Sequence, residues 1–109
     1  GQLERCTRLD EDLAIIDLRQ EDPIYAGNRF MVYALFPQAR LSVHCVRGLP
    51  GTTAFAVGKS ILDRSSPVDV GRVCLAHGGG GHAGAGTCQV PEAEAEATLA
   101  ALLGALRAA

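Results

Sequence analysis

The chain has 109 residues, of which 48% are hydrophobic and 20% charged, and its formal net charge is −2 at pH 7. This length suits one globular domain with a modest core, and the charge argues against a generic polyanion binder. No apolar run reaches the roughly 18 residues of a membrane span, and no secretory leader is recognisable, so we expect a cytoplasmic protein without membrane contact.

The first half of the chain predicts three strands and one helix, and residues 3–9 could add an edge strand that pairs with the first of them. The helix runs from Arg29 to Leu35, with Asn28 as its cap and Pro37 as its stop. The last two strands are joined by a turn at residues 49–53 and therefore form a hairpin. The strands are predicted from short apolar or alternating runs over residues 3–9, 13–18, 41–46 and 54–61.

The second half predicts a helix, a strand and a final helix. The first helix has Ser66 as N-cap, Pro67 at its first position and Gly78 at its end. A strand over 87–90 precedes the last helix, which begins at Pro91 and places four leucines on one face, Leu99, Leu102, Leu103 and Leu106. We therefore expect a single α/β domain over residues 1–109, a mixed sheet with flanking helices in the order β-α-β-β-α-β-α.

A glycine-rich loop between the second helix and the last strand is the most informative motif. Four glycines precede a histidine in Gly78–His82, and Gly84 and Gly86 follow. Successive backbone N–H groups in such a loop form a concave anion site, and the histidine adds a donor at its lip. The segment 23–91 around it carries six basic residues and two acids, a balance of +4. The run predicts a phosphate-binding loop, although a turn after a helix end would also use glycine.

Three other patterns in the same region are rejected. Gly79-x-Gly81-x-x-Gly84 matches the dinucleotide fingerprint, but here a helix precedes it and a strand follows. Residues 58–60, Gly-Lys-Ser, lack the earlier glycine of a P-loop. The possible zinc ligands are Cys74, His77, His82 and Cys88, and their spacing fits no standard zinc site. Buried reduced thiols explain the cysteines better.

Three segments carry a resemblance to a known family: residues 57–61 (Val-Gly-Lys-Ser-Ile), 68–71 (Val-Asp-Val-Gly) and the run Gly78–His82. Together they resemble the DHH-associated C-terminal domain of DHH-family phosphoesterases, in the group of nanoRNases, pAp phosphatases and exopolyphosphatase-related proteins. The resemblance extends from about Leu13 onward. It implies that the chain is the C-terminal, substrate-binding part of a larger two-domain protein.

The resemblance also implies the partners of this domain. An N-terminal domain of the same protein would hold an Asp-His-His motif and manganese, or magnesium, so we expect this chain to hold no metal or catalytic residue and to be inactive alone. The implied ligand is a phosphorylated small molecule or a short single-stranded oligonucleotide, such as pAp. The residues implied to bind it are Gly79, Gly80, Gly81 and His82, with Ser60, Lys59 and Arg64, the nearest counterpart of the family arginine.

Two alternatives remain open at this point. The chain could be a nucleic-acid-binding module without chemistry, as in the C-terminal domain of alanyl-tRNA synthetases, with affinity for structured RNA and a steep salt dependence. The small number of aromatic residues, three Phe and two Tyr, weighs against this reading. It could also be a structural or dimerisation domain that forms a homodimer. In that case the glycines would only allow close packing.

Overall fold

The computed structural model describes residues 5–20, 35–60 and 68–108, which form a six-stranded mixed sheet and two helices. The strand order is β1-β2-β3-β4-β6-β5, with β2 and β3 parallel and the other neighbours antiparallel. The mixed α/β architecture predicted from the sequence is thus confirmed. The elements are β1 (Thr7–Asp10), β2 (Leu13–Asp17), β3 (Leu41–Arg47), β4 (Thr52–Lys59), α1 (Val70–Leu75), β5 (Gly80–His82), β6 (Ala85–Pro91), a 3-10 turn (Glu92–Glu94) and α2 (Ala95–Ala108).

The two faces of the sheet bury different side chains because successive residues of a strand point to opposite sides. One face, called the helical face below, packs against α1 and α2. The predicted leucine face of α2 is confirmed there, with Leu102 fully buried. On the opposite face, called the second face, a smaller cluster forms around Ala14, Ile16 and Leu18. Strand β2 is buried on both faces, which explains its unbroken apolar sequence.

Helix α1 begins later than the sequence predicts. Its N-cap is Asp69, whose Oδ1 accepts a hydrogen bond from the Arg72 amide at 3.2 Å, whereas the predicted cap, Ser66, lies outside the described residues. The Val70 amide donates to Ala83 O at 3.1 Å, so the helix starts where the chain meets the turn between β5 and β6. The helix ends at Leu75 with Ala76 as its C-cap, earlier than predicted, so Gly78, with φ of +84°, lies two residues past the cap.

The other predicted elements are found with small shifts in their bounds. The pairing of the first two strands is confirmed as the antiparallel β1–β2 hairpin, and that of the next two as β3–β4. The helix predicted over residues 29–35 falls outside the described residues except for its last one. Within the described part of the chain, no helix has the length and apolar character needed to cross a bilayer.

The glycine-rich segment lies between α1 and β6 as predicted, but part of it is a strand rather than a loop. Gly80–His82 form β5 and pair antiparallel with β6, with Gly81 opposite Gly86. The local sequence suggested a loop because glycine is a poor strand former. The strand forms because α1 packs directly on this segment, and a side chain at Gly81 would overlap the backbone of Ala85 and Gly86.

Candidate phosphate-binding site

The sheet register places His82 on the second face, away from α1 and α2. His82 pairs with Ala85 of β6, which is followed across the sheet by Gly58 of β4 and Ser42 of β3. Directly paired residues share a face, so these small neighbours leave the imidazole free of large side chains along that row. His82 is exposed.

One ring nitrogen of His82 is fixed by the tight turn that joins β5 to β6. The Gly84 amide donates a hydrogen bond to His82 Nδ1 at 3.1 Å. Since Nδ1 accepts this hydrogen bond, Nε2 is the ring atom left to act as an N–H donor. The imidazole is therefore oriented by its own backbone and presents an N–H donor to solvent.

The glycines around His82 serve different purposes. The amides of Gly78 and Gly79 donate to Leu75 O and Cys74 O, at 3.1 and 3.0 Å, and thereby close the end of α1. These two N–H groups are engaged within the protein. Strand β5 lies at the edge of the sheet, and an edge strand directs alternate N–H groups away from its neighbour. Donors for an anion at this edge therefore come from β5 rather than from the preceding turn.

The other predicted binding residues lie near the same end of the sheet. The Lys59 amide donates to Gly84 O at 2.9 Å, which joins the end of β4 to the turn beside His82. Ser60 follows immediately and is buried, with 1% of its surface exposed, and its amide donates to Arg40 O at 2.8 Å. Arg64 lies outside the described residues.

Arg40 is a residue that the sequence analysis did not select. It precedes β3, whose first residue, Leu41, pairs with Lys59, so Arg40 and the last residues of β4 meet at the same end of these two central strands. Its guanidinium Nε forms an ion pair with Asp12 Oδ2, and its side chain is 42% exposed. Only the antiparallel pairing of β3 and β4 brings it near Ser60, and no local motif marks it.

Three of the four cysteines lie on the other side of the sheet from His82, whereas Cys6 packs on the second face. Cys74 and Cys88 are buried on the helical face, whereas His82 is exposed on the second face. Burial, and then the neighbouring Cys74, raises the pKa of Cys88 to about 11, and burial also raises the pKa of Cys74. Neither thiol is thus a ready nucleophile or metal ligand. Among the residues that the structure describes, no three His, Cys, Asp or Glu side chains are grouped to hold a metal ion.

The opposite end of the sheet contains a charged cluster that fastens α2 to β2. Arg19 donates to both carboxylate oxygens of Asp17, at 2.9 and 2.6 Å, and contacts Glu96 at 2.8 Å. The hydrogen bonds from Arg19 lower the pKa of Asp17. Because these charges satisfy one another, we assign them a structural role.

Comparisons with known proteins agree with the fold and with the family resemblance. No protein-family model and no curated protein matches the chain. Among solved structures, the chain is similar to a pGpG-specific phosphodiesterase, PggH, from Vibrio cholerae, with 45% identity, a TM-score of 0.93 and 98% of this chain covered. The chain spans 37% of the length of that protein. The resemblance is thus confirmed, and the chain is a DHH-associated C-terminal domain.

Two more distant structures share the fold alone. An exopolyphosphatase-related protein from Bacteroides fragilis is 15% identical with a TM-score of 0.67, over 96% of this chain and 32% of its own. The C-Ala domain of alanyl-tRNA synthetase from Aquifex aeolicus is 16% identical with a TM-score of 0.52, over 92% of this chain and 96% of its own.

Proposed function

We propose that this chain is the substrate-binding part of a metal-dependent phosphoesterase that acts on short linear oligonucleotides or nucleotides, and that His82 binds a substrate phosphate. The observation that supports this is the exposed His82 imidazole, fixed through Nδ1 at a glycine-lined edge strand. It occurs in a chain that is 45% identical to part of a phosphodiesterase named for pGpG. We extend that substrate class, a short phosphorylated oligonucleotide, to this protein.

In this proposal the Nε2–H group of His82 donates a hydrogen bond to a phosphate oxygen, while the Gly84 hydrogen bond to Nδ1 holds the ring in place. Outward N–H groups of β5 donate to the same phosphate. Lys59 pairs with Leu41 on the helical face, so it adds positive charge from the opposite side of the sheet rather than by direct contact. Ser60 and Arg64 complete the proposed set. The contacting groups bind and orient the substrate, and none of the set takes part in bond cleavage.

Hydrolysis is assigned to the N-terminal DHH domain of the same protein, with manganese or magnesium as its proposed metal. Such ions activate water for attack on a phosphoester. Among the described residues of this chain, no side chains are clustered in a way that could hold such a metal ion. The domain described here therefore contributes affinity and orientation.

The test replaces His82 with asparagine and with glutamine in the full-length protein. The asparagine amide can replace Nδ1 and keep the Gly84 contact, whereas glutamine extends an N–H group toward the position of Nε2. A hydrogen bond to a charged group contributes roughly 1.5–3 kcal/mol, so His82→Asn should lower kcat/KM for pGpG or pAp about 10- to 100-fold. His82→Gln should retain more activity.

His77→Asn is the matched control, because this histidine lies at the end of α1 outside the proposed site. Unfolding by urea should show less than about 0.5 kcal/mol of change for each variant. Unchanged kinetics for both His82 variants would refute the assignment. Binding of structured RNA with a steep salt dependence, unaffected by His82→Asn, would instead favour a nucleic-acid-binding module.

A further inference from the structure

The turn that follows His82 is tied to two other elements of the domain. Ala83 and Gly84 join β5 to β6, and the pairing of these two strands is sufficient to close such a hairpin. The Ala83 carbonyl nevertheless accepts a hydrogen bond from the Val70 amide at 3.1 Å, and the Gly84 carbonyl accepts one from the Lys59 amide at 2.9 Å. These two bonds therefore fix the turn relative to α1 and to β4.

The Val70 amide is available for this bond because of its place in α1. The first four N–H groups of a helix have no carbonyl partner within the helix, and Val70 is the first residue of α1. The Asp69 side chain caps a different one of these groups, the Arg72 amide. The Val70 amide is left for a partner outside the helix, and the Ala83 carbonyl is that partner.

Two contacts hold the Val70 amide in place. The Val70 side chain is fully buried in the core of the helical face, with 0% of the residue exposed. The next residue, Gly71, lies so close to β5 that a Cβ there would be 2.7 Å from Gly81 O and 2.9 Å from the His82 amide nitrogen. A six-residue helix has little stability of its own, so its position depends on packing of this kind. The start of α1 is thus fixed against the backbone on which His82 lies.

The Ala83 carbonyl and the Gly84 amide belong to the same peptide group. A peptide group is planar and rigid, so the direction of its C=O fixes the direction of its N–H. The Val70 amide binds the C=O, and the N–H on the other side of the plane donates to His82 Nδ1 at 3.1 Å. Hydrogen bonds joined through one peptide group also polarise each other. The orientation of the imidazole therefore depends on Val70.

We propose that Val70 is a positioning residue for His82. Its backbone N–H acts through the Ala83–Gly84 peptide and holds the imidazole at Nδ1, so that Nε2 is left to donate to the phosphate. The Val70 side chain lies in the core of the helical face and takes no part in the contact. This inference rests on the proposed function, because the orientation of the ring matters for binding only if His82 binds a phosphate.

The test removes the Val70 N–H and keeps the helix. Proline has no N–H, and its φ suits the first position of a helix. Asp69 before it already has the extended backbone that proline requires, with φ of −95° and ψ of 97°. Val70→Ala is the matched control, because it keeps the N–H and loses more of the buried side chain.

Binding of pGpG is measured by calorimetry with the full-length protein in metal-free buffer, to prevent turnover. We expect Val70→Pro to weaken binding about 3- to 10-fold, the range of one hydrogen bond, and Val70→Ala to stay within about twofold of wild type. If His82→Asn binds pGpG as tightly as wild type, the proposed function fails, and the role of Val70 in binding fails with it.

A spectroscopic readout separates positioning from a general loss of stability. Proton–nitrogen correlation spectra of the histidine rings at about pH 8, where histidine is ordinarily neutral, report which ring nitrogen carries the proton. We expect wild type and Val70→Ala to hold the His82 proton on Nε2, and Val70→Pro to show a mixture of the two tautomers. Val70→Pro with wild-type spectra and affinity would overturn the positioning role, while a loss of affinity in His82→Asn would still support the phosphate site.

Hydrogen exchange in the wild-type protein tests the same bond without a substitution, and it decides the matter if Val70→Pro does not fold. Coupling between two sites is reciprocal, so saturating pGpG should slow exchange of the Val70 amide about 3- to 10-fold. Exchange of this amide at the rate of an unstructured chain, or at a rate that pGpG does not change, would overturn the proposal.

Discussion

The contact between α1 and β5 predicts that Gly71→Ala destabilises the protein, against the usual preference of helices for alanine. A Cβ at Gly71 would lie 2.7 Å from the carbonyl carbon and oxygen of Gly81 and 2.9 Å from the amide nitrogen of His82. Ordinary contact begins at 3.4 Å, and all three atoms belong to backbone that is held in the sheet. The helix must therefore move outward by several tenths of an ångström.

The magnitude follows from two opposing effects. Alanine is favoured over glycine inside a helix by about 1 kcal/mol, whereas overpacking in a well-packed region costs about 1–3 kcal/mol. The new Cβ is attached to the backbone of α1 and would overlap backbone atoms of β5, so neither partner can simply rotate away. We therefore expect a net loss of about 1–2 kcal/mol in the free energy of unfolding. Displacement of β5 should also weaken phosphate binding at His82, although Gly71 does not face the ligand.

The assay is equilibrium unfolding in urea, with Gly80→Ala as the matched control on the facing strand. Gly80 has open space around its Cβ position and no positive φ, so alanine there should stabilise the protein by about 0.4–1 kcal/mol through the unfolded state. The two glycine-to-alanine changes should thus have opposite signs. A neutral or stabilising Gly71→Ala would refute the close contact between α1 and β5.

Two further predictions concern ionisable groups. Hydrogen bonds from Arg19 lower the pKa of Asp17 below its ordinary 3.8, so its contribution to stability is present above that value and is lost as the pH falls through the folded pKa. The urea midpoints of wild type and Asp17→Asn should therefore differ more at about pH 6 than at about pH 3, and a constant difference would contradict this assignment. At about pH 7.5 a thiol reagent should label half-buried Cys6 first, because Cys74 and Cys88 are buried with raised pKa values. Equal labelling rates in the folded protein would argue against the buried pair.

The sequence determined those parts of the protein that depend on short-range periodicity. Alternating residues gave the β3–β4 hairpin, and leucines at helical spacing gave the buried face of α2. The glycine–histidine run indicated a ligand site at the correct place between α1 and β6. These patterns are local, because each reflects the burial of one face of a single element.

The tertiary structure decided what depends on neighbours distant in sequence. Strand β5 exists because α1 and β6 enclose Gly81, and glycine itself has no preference for a strand. The pairing of β3 with β4 brings Arg40 to the amide of Ser60, and the β5–β6 register turns His82 away from the helices. A shift of one residue in that register would place the imidazole against α1, since side chains alternate between faces. Close approach and register arise from long-range packing, and therefore only the folded chain distinguishes Gly80, where a side chain would have room, from the glycines that the fold requires.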